Sequence, residues 1–153
     1  MIEMRKINCI ANWSTVKDIG SGCSSMYFPL ILYHFTLIPT RVKLAYDAAL
    51  NTFAAIKIAK SDSRLHRQAM ANEANLLRKL NHKNIAKIFD SYTDIDWEDD
   101  QGNIRQISAI VIELVPKGEL VEFINKTGKI DEKIARYHFR QLIDGKISIN
   151  FIH

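Results

Sequence analysis

Cysteine is scarce: Cys9 and Cys23 are the only two among 153 residues. Their spacing suits neither a metal site nor a disulfide framework, so two reduced thiols in a cytoplasmic protein are expected. Long hydrophobic runs are also missing. The longest apolar stretch, Met26 to Ile38, contains Pro29 and His34 and is too short to cross a bilayer as a helix. The opening MIEMRKINCIANW carries charges and lacks a sustained apolar core, so it does not read as a secretory signal. No membrane association is expected. Charge of one sign is weak too: 21 Lys and Arg against 17 Asp and Glu leave a formal +4. The basic residues are spread out, with Arg64, Arg67, Arg78 and Lys79 in one stretch and Lys126, Lys129, Lys133 and Arg136 in another. That distribution argues against a dedicated nucleic-acid surface. Neither an internal repeat nor a low-complexity tract is visible.

What is present has globular proportions, 47% hydrophobic and 25% charged residues, in a chain long enough for one domain with a core. Three strand candidates precede any helix. Trp13 to Gly20 runs into glycines and suggests a strand entering a turn. Arg41 to Tyr46 alternates Val42, Leu44 and Tyr46 with polar or small residues, and Phe53 to Ala59 sets Phe53, Ala55 and the Ile56/Ile58 pair around Lys57. Ser61, Asp62 and Ser63 then offer N-cap side chains, and the stretch to Leu80 is rich in helix formers. Its expected buried face is Leu65, Ala69, Leu76, Leu77 and Leu80.

Ile85 to Phe89 and Ile107 to Val115 read as two more strands, joined by the acidic DIDWEDDQGN. That joining segment is expected to be a solvated hairpin end, since the ligand spacing of a calcium loop is absent. After Pro116 a short helix is expected from Glu119 to Asn125. A longer one opens at Asp131 with Ala135, Phe139, Leu142 and Ile143 as its buried face. Strands followed by segregated helices predict an α+β architecture.

Two features carry chemistry. Gly20-Ser21-Gly22-Cys23-Ser24-Ser25 follows the first strand, where glycines let backbone N–H groups approach a polyphosphate. Alone, a G-x-G is more often a tight turn, and the helix that a dinucleotide fold requires after it is missing. Lys57 stands inside the otherwise apolar Phe53-Ala54-Ala55-Ile56-Lys57-Ile58, where an unpaired ammonium is costly to desolvate. An anionic partner is therefore needed, and Glu73 lies on the helix that would pack against this strand. Taken singly, the lysine reads as snorkelling and the glutamate as solvated.

In order and spacing, the glycine turn, the Ala-Ile-Lys strand, the helix glutamate, Leu80-Asn81-His82-Lys83-Asn84-Ile85, and Ile112-Glu113-Leu114-Val115 with Gly118-Glu119-Leu120 resemble the eukaryotic protein kinase family. GSGCSS, VKLAYD, ELVPKGEL and EKIARYHFRQLIDG look most like the serine/threonine kinases of the calcium/calmodulin-dependent and AMP-activated group. The resemblance implies a small lobe of about five antiparallel strands with one packed helix, followed by the first helices of a large lobe. Residues 1–12 would be an N-terminal extension and 13–153 a partial kinase domain, divided into a small lobe over 13–115 and a hinge with large-lobe helices over 116–153.

The resemblance also implies roles. Gly20, Gly22 and Ser25 would fold over the ATP phosphates, Val42 would pack on the adenine ring, and Ala55 would roof its pocket. Lys57 would pair with the α/β-phosphates and with Glu73, an ion pair that reports the active arrangement. Ile112 would guard the rear of the pocket. The backbone of Glu113 and Val115 would bond adenine, and Glu119 would reach the ribose or a basic substrate residue. The implied partners are ATP, with Mg²⁺ in an intact relative, and a protein substrate; oligomeric state is left open.

Two departures stand out. Residues 26–40, MYFPLILYHFTLIPT, interrupt the spacing between Ser25 and Val42, and deleting them restores the family pattern. An oily insert at a phosphate loop is an aggregation liability, so an unspliced intron or gene-model error is favoured over an evolved insert, the structural alternative being an extended hairpin. The chain also reads KISINFIH where the catalytic H-R-D loop is due, and neither that loop nor D-F-G occurs. It is therefore expected to hold ATP without transferring phosphate. The alternatives are a non-catalytic kinase-like binding module and an unfolded product of a faulty gene model.

Overall fold

Alternation of inward and outward side chains dictates most of the architecture. The structure is a computed structural model, and it describes residues 9–23, 38–61, 63–99, 101–116 and 120–150. Among them, six strands form one antiparallel sheet: β1 (Cys9–Ile10), β2 (Trp13–Cys23), β3 (Pro39–Asp47), β4 (Thr52–Ala59), β5 (Ile88–Glu98) and β6 (Ile104–Glu113), in the order β1-β2-β3-β4-β6-β5. Helix α1 (Arg64–Lys79) enters between β4 and β5, and α2 (Leu120–Thr127) and α3 (Glu132–Asn150) follow the sheet. The α+β fold expected from the sequence is present, with the short β1 added to the anticipated strands.

Period-2 alternation splits β4 between two cores. Ala54, Ile56 and Ile58 join Ile10, Trp13, Ala45, Trp97, Ile107, Ala109 and Val111 on one face. On the other, Ala59 packs with Ile38, Ala69, Met70, Ala74 and Ile110, beneath α1. The sheet curls strongly, because Trp13 of β2 stacks on Phe89 of the last strand, with ring centroids 6.0 Å apart. Curling lets the sheet cover one of its own faces while α1 covers the other.

Helix α1 begins as the serine cluster suggested: the Ser63 hydroxyl accepts the His66 N–H and caps the first turn. Its buried face is the expected one except at Leu65, with Leu77 and Leu80 half-buried against the cores. Ala69, Met70, Ala74 and Leu76 are buried, whereas Leu65 is exposed, because it lies in the first turn, before the helix reaches the sheet.

The acidic segment between the last two strands is also corrected. β5 runs on through Ile95 and Trp97 to Glu98, so the first half of DIDWEDDQGN is strand rather than loop. Ile95 and Trp97 face inward between outward acids, and a bulge between Tyr92 and Ile95, with Asp94 at φ 55°, keeps that register. The turn proper is short. The Asp99 carboxylate accepts the backbone N–H groups of Gln101 and Asn103, and Gly102 takes φ 83°.

At the other end of the oily segment, Pro39 and Thr40 belong to β3, and Ile38 and Thr40 are buried. The fold therefore uses residues 38–40 of the proposed insert 26–40, and 26–37 lie outside the described residues.

Helix α3 docks on the loop between α1 and β5. Asn84 Nδ2 donates to the Gln141 carbonyl at 3.1 Å, and a Cβ on Gly145 would sit 3.5 Å from Ile85 Cγ1. Leu76, Ile85 and Ile149 form the small core beneath it. Phe139 and Leu142, expected to be buried, are instead exposed, because the helix turns only its Gly145 and Ile149 face to this loop. No helix among the described residues is long and apolar enough to cross a membrane.

Two outcomes follow. Ile56 has no exposed surface, so Ile56→Ala should cost about 2–5 kcal/mol, read from the denaturant midpoint. Desolvation, and then the hydrogen bond to and charge of Asp90, push the Tyr92 phenol from 10.0 up to about 12. Its neutral form is the one the fold favours. The stability it adds is therefore present below about pH 10 and lost as pH rises through about 12. Alkaline titration of tyrosinate absorbance should show a late-ionising tyrosine that disappears in Tyr92→Phe.

Candidate functional site

The centre of the site is a charge that the sheet would otherwise bury alone. Lys57 is 9% exposed, on the α1-facing side of β4. Its Nζ lies 2.7 Å from Glu73 Oε1 and 2.9 Å from Oε2. Both oxygens accept from the ammonium, so the carboxylate grips it on two sides. Helix α1 delivers Glu73 because Ala69, Met70 and Ala74 hold that face of the helix to the sheet.

Cross-strand register aligns the other expected residues with this pair. Val42 of β3 is directly opposite Lys57, and Gly20 of β2 is directly opposite Val42. The three form one row across the sheet, with Gly20 roughly 10 Å from Lys57 at normal strand spacing. A Cβ at Gly20 would lie 4.0 Å from Val42 Cβ. Glycine therefore matters here by leaving the space above Val42 open, since its backbone is not left-handed. Gly22 continues β2 opposite Thr40.

Ala55 is opposite Ile112 on the neighbouring β6, and both belong to the same face as Lys57. Glu113 ends β6, where its N–H donates to the Lys87 carbonyl at 2.8 Å and its Oε2 accepts the Lys87 N–H at 3.2 Å. Of the Glu113 main chain, only the carbonyl can therefore serve a purine. Val115, just beyond, is exposed. The site thus gathers Gly20, Gly22, Val42, Ala55, Lys57, Glu73 and Ile112 on one side of the sheet, with Glu113 and Val115 at its edge. Ser25 and Glu119 lie outside the described residues.

The reciprocal Lys87 and Glu113 bonds were not anticipated. They link residues far apart in sequence and have no local signature. A groove of ≈ 790 Å³ shares Glu113 and Val115 with the site, but its walls are Ile85, Val121, Ile124 and Phe139 of the helical end. Neither Lys57 nor Glu73 lines it. The charged pair, rather than the larger apolar groove, is where anion chemistry can occur. Among the described residues no group of three or more His, Cys, Asp or Glu side chains could hold a metal ion.

Comparison with known proteins gives the family and the fold. The protein kinase domain family matches residues 40–153. A probable serine/threonine-protein kinase, MARK-B, of Dictyostelium discoideum is 32% identical over 145 residues, covering 95% of this chain and 17% of its own length. Calcium/calmodulin-dependent protein kinase type 1 of Caenorhabditis elegans is 33% identical over 86 residues, which is 56% of this chain and 21% of that protein. The chain thus spans about a fifth of the length of these relatives. A crystal structure of Rad53 1–466 in complex with AMP-PNP aligns with a TM-score of 0.60 at 24% identity, covering 87% of this chain and 29% of that one, and shows the shared fold. With a matching family profile over most of its length and serine/threonine kinases as its relatives, the chain belongs to the protein kinase domain family.

Proposed function

We propose that this chain is the ATP-gripping portion of a serine/threonine protein kinase, whose reaction transfers the ATP γ-phosphate to a protein hydroxyl. The observation that carries the reading is the 2.7 Å contact between Lys57 Nζ and Glu73 Oε1, on a face also bearing Gly20, Val42 and Ala55. A carboxylate that holds the lysine in the absence of ligand keeps the ammonium aimed where the α/β-phosphates would arrive. Open space above Val42 suits a purine ring, and the Glu113 and Val115 edge suits its hydrogen-bonding side. The Rad53 structure in complex with AMP-PNP supports the same ligand class.

On this reading, residues 13–115 form the small lobe and 116–153 the hinge and first large-lobe helices. Val42 packs on the adenine ring, Ala55 forms part of the pocket roof beside it, Ile112 guards the rear of the pocket, and Lys57 neutralises phosphate charge. Gly20, Gly22 and Ser25 cover the phosphates, and Glu119 reaches the ribose or a basic residue of the protein substrate. Magnesium, when bound with the nucleotide, supplies charge neutralisation between phosphate oxygens. Neither H-R-D nor D-F-G occurs in the 153 residues. By themselves these residues are therefore proposed to bind ATP without transferring it, and to work in the cytoplasm.

Thermal melting tests the grip. Saturating Mg²⁺-ATP, at about a hundred times its dissociation constant, should stabilise the chain by about 2.7 kcal/mol and raise Tm by roughly 5–10 °C. Lys57→Ala should lose most of that rise, and Glu73→Gln part of it. An unchanged rise in Lys57→Ala, or no rise in the parent chain, would overturn the reading.

A further inference from the structure

The mouth of the curled sheet, where the start of β2 meets the start of β5, carries a chemistry that the nucleotide face does not use. A cavity of ≈ 470 Å³ there is lined by three aromatic residues, Trp13, Phe89 and Tyr92, and by two acids, Asp47 and Asp90. Its size lies within the ~300–1,000 Å³ of small-ligand pockets. No Lys, Arg or His is among the described residues that line it. Lys57 and Glu73 are not part of it either, so its occupation is independent of nucleotide.

Asp47 supplies an independent observation. At the end of β3 it is only 3% exposed. Period-2 alternation puts it on the side of β3 that carries Ala45, which shares a core with Trp13, and Tyr92 packs against that core. The pleat therefore aims the carboxylate into the curl, toward the aromatic residues. Its Oδ1 is satisfied by the turn that follows β3, accepting the Ala49 N–H at 2.8 Å and the Leu50 N–H at 3.1 Å. Oδ2 has no hydrogen-bond or ion-pair partner among the described residues, yet it is not shielded from water. Lys43, on the same side of β3, pairs with Asp18 at 3.5 Å instead. A buried carboxylate with one unmatched oxygen at a cavity wall calls for a cationic donor.

The second acid comes from β5. Asp90 Oδ2 accepts the Tyr92 hydroxyl at 2.8 Å and its Oδ1 accepts the Ser91 N–H at 2.8 Å, so this carboxylate is held in place with lone pairs to spare. Desolvation first, then Asp90 and lastly Asp47, push the Tyr92 phenol up to about 12, so the field of both acids is felt at the same hydroxyl. Phe89 lies parallel to Trp13, with an interplanar angle of 2°, and is 48% exposed. It offers a flat apolar surface beside two anions.

We propose that this cavity binds a guanidinium group, stacked on Phe89 and donating to Asp47 Oδ2 and to Asp90. A guanidinium is planar with its N–H donors around the rim, so it can lie on a ring while its edge meets two carboxylates. The donors of an ammonium diverge from a point and match a ring face and two acids less well. The same chemistry could come from an arginine side chain of a polypeptide or from a free alkylguanidine, and the assay separates them.

The chain has two tryptophans, Trp13 at the cavity and Trp97 outside it, so its ¹⁵N–¹H spectrum carries an internal reference. N-acetyl-arginine N-methylamide, titrated into the full chain at constant ionic strength, should move the Trp13 indole resonance saturably while Trp97 stays in place. The neutral, isosteric citrulline amide should move neither. Asp90→Asn should weaken the apparent affinity about tenfold, and Phe89→Leu should weaken it too. Asp90 and Phe89 are both exposed and their variants should fold normally, so the test does not depend on replacing the buried Asp47. An arginine peptide that binds more tightly than the amide, with its citrulline form inert, assigns the site to a polypeptide side chain; equal or weaker binding assigns it to a free alkylguanidine. No saturable movement of the Trp13 resonance, saturation unaltered in Asp90→Asn, or equal binding of the N-acetyl-lysine amide would overturn the proposal.

Discussion

An ammonium group on a central strand of a buried sheet has to be neutralised, and this requirement organises the molecule. Lys57 lies between β3 and β6, with apolar residues before and after it. Desolvating it without a partner would cost several kcal/mol. Glu73 removes that cost only if α1 lies across this face of the sheet with the right helical phase. The phase is set by Ala69, Met70 and Ala74, which press the helix onto Ile38, Ala59 and Ile110. One ion pair thus ties a hydrophobic contact to an electrostatic one, and displacing the helix would break both.

The same pair connects fold to chemistry. A lysine held by two carboxylate oxygens is fixed in direction, so its charge has already lost the orientational entropy that binding any anion would otherwise take. The row Gly20, Val42, Lys57 is a consequence of antiparallel register, so the glycine and the lysine are spaced by backbone hydrogen bonds. Curling of the sheet, marked by Trp13 on Phe89, leaves its two ends different in character. The helix-covered face carries the paired lysine, and the open end around Trp97 carries a concentration of positive charge.

The helical end follows a different balance. Helices α2 and α3 leave Val121, Phe139 and Leu142 exposed around an apolar groove, while only Gly145 and Ile149 of α3 are buried. Their docking depends on a short contact: Asn84 to the Gln141 carbonyl, and Ile85 against the bare face of Gly145. A side chain larger than methyl at Gly145 would push against Ile85 and the Asn84 backbone, so glycine serves close approach there rather than flexibility.

Much of this was legible in the sequence, because its signals are local. Alternation over Arg41 to Tyr46 and Phe53 to Ala59, the serine cap before α1, and a lysine in an apolar strand all follow from side-chain periodicity and desolvation. They identify the fold class and the pairing of Lys57 with Glu73. What the chain alone could not reveal depends on partners distant in sequence. Leu65 reads as a core residue by helical phase yet lies before α1 meets the sheet. Trp97 reads as part of a charged loop, although curling of the sheet buries it. Phe139 and Leu142 form an apolar stripe that periodicity assigns to a core, whereas the docking of α3 through Gly145 turns that stripe toward the groove. Periodicity tells which side of an element is apolar, and only tertiary packing decides what, if anything, covers it.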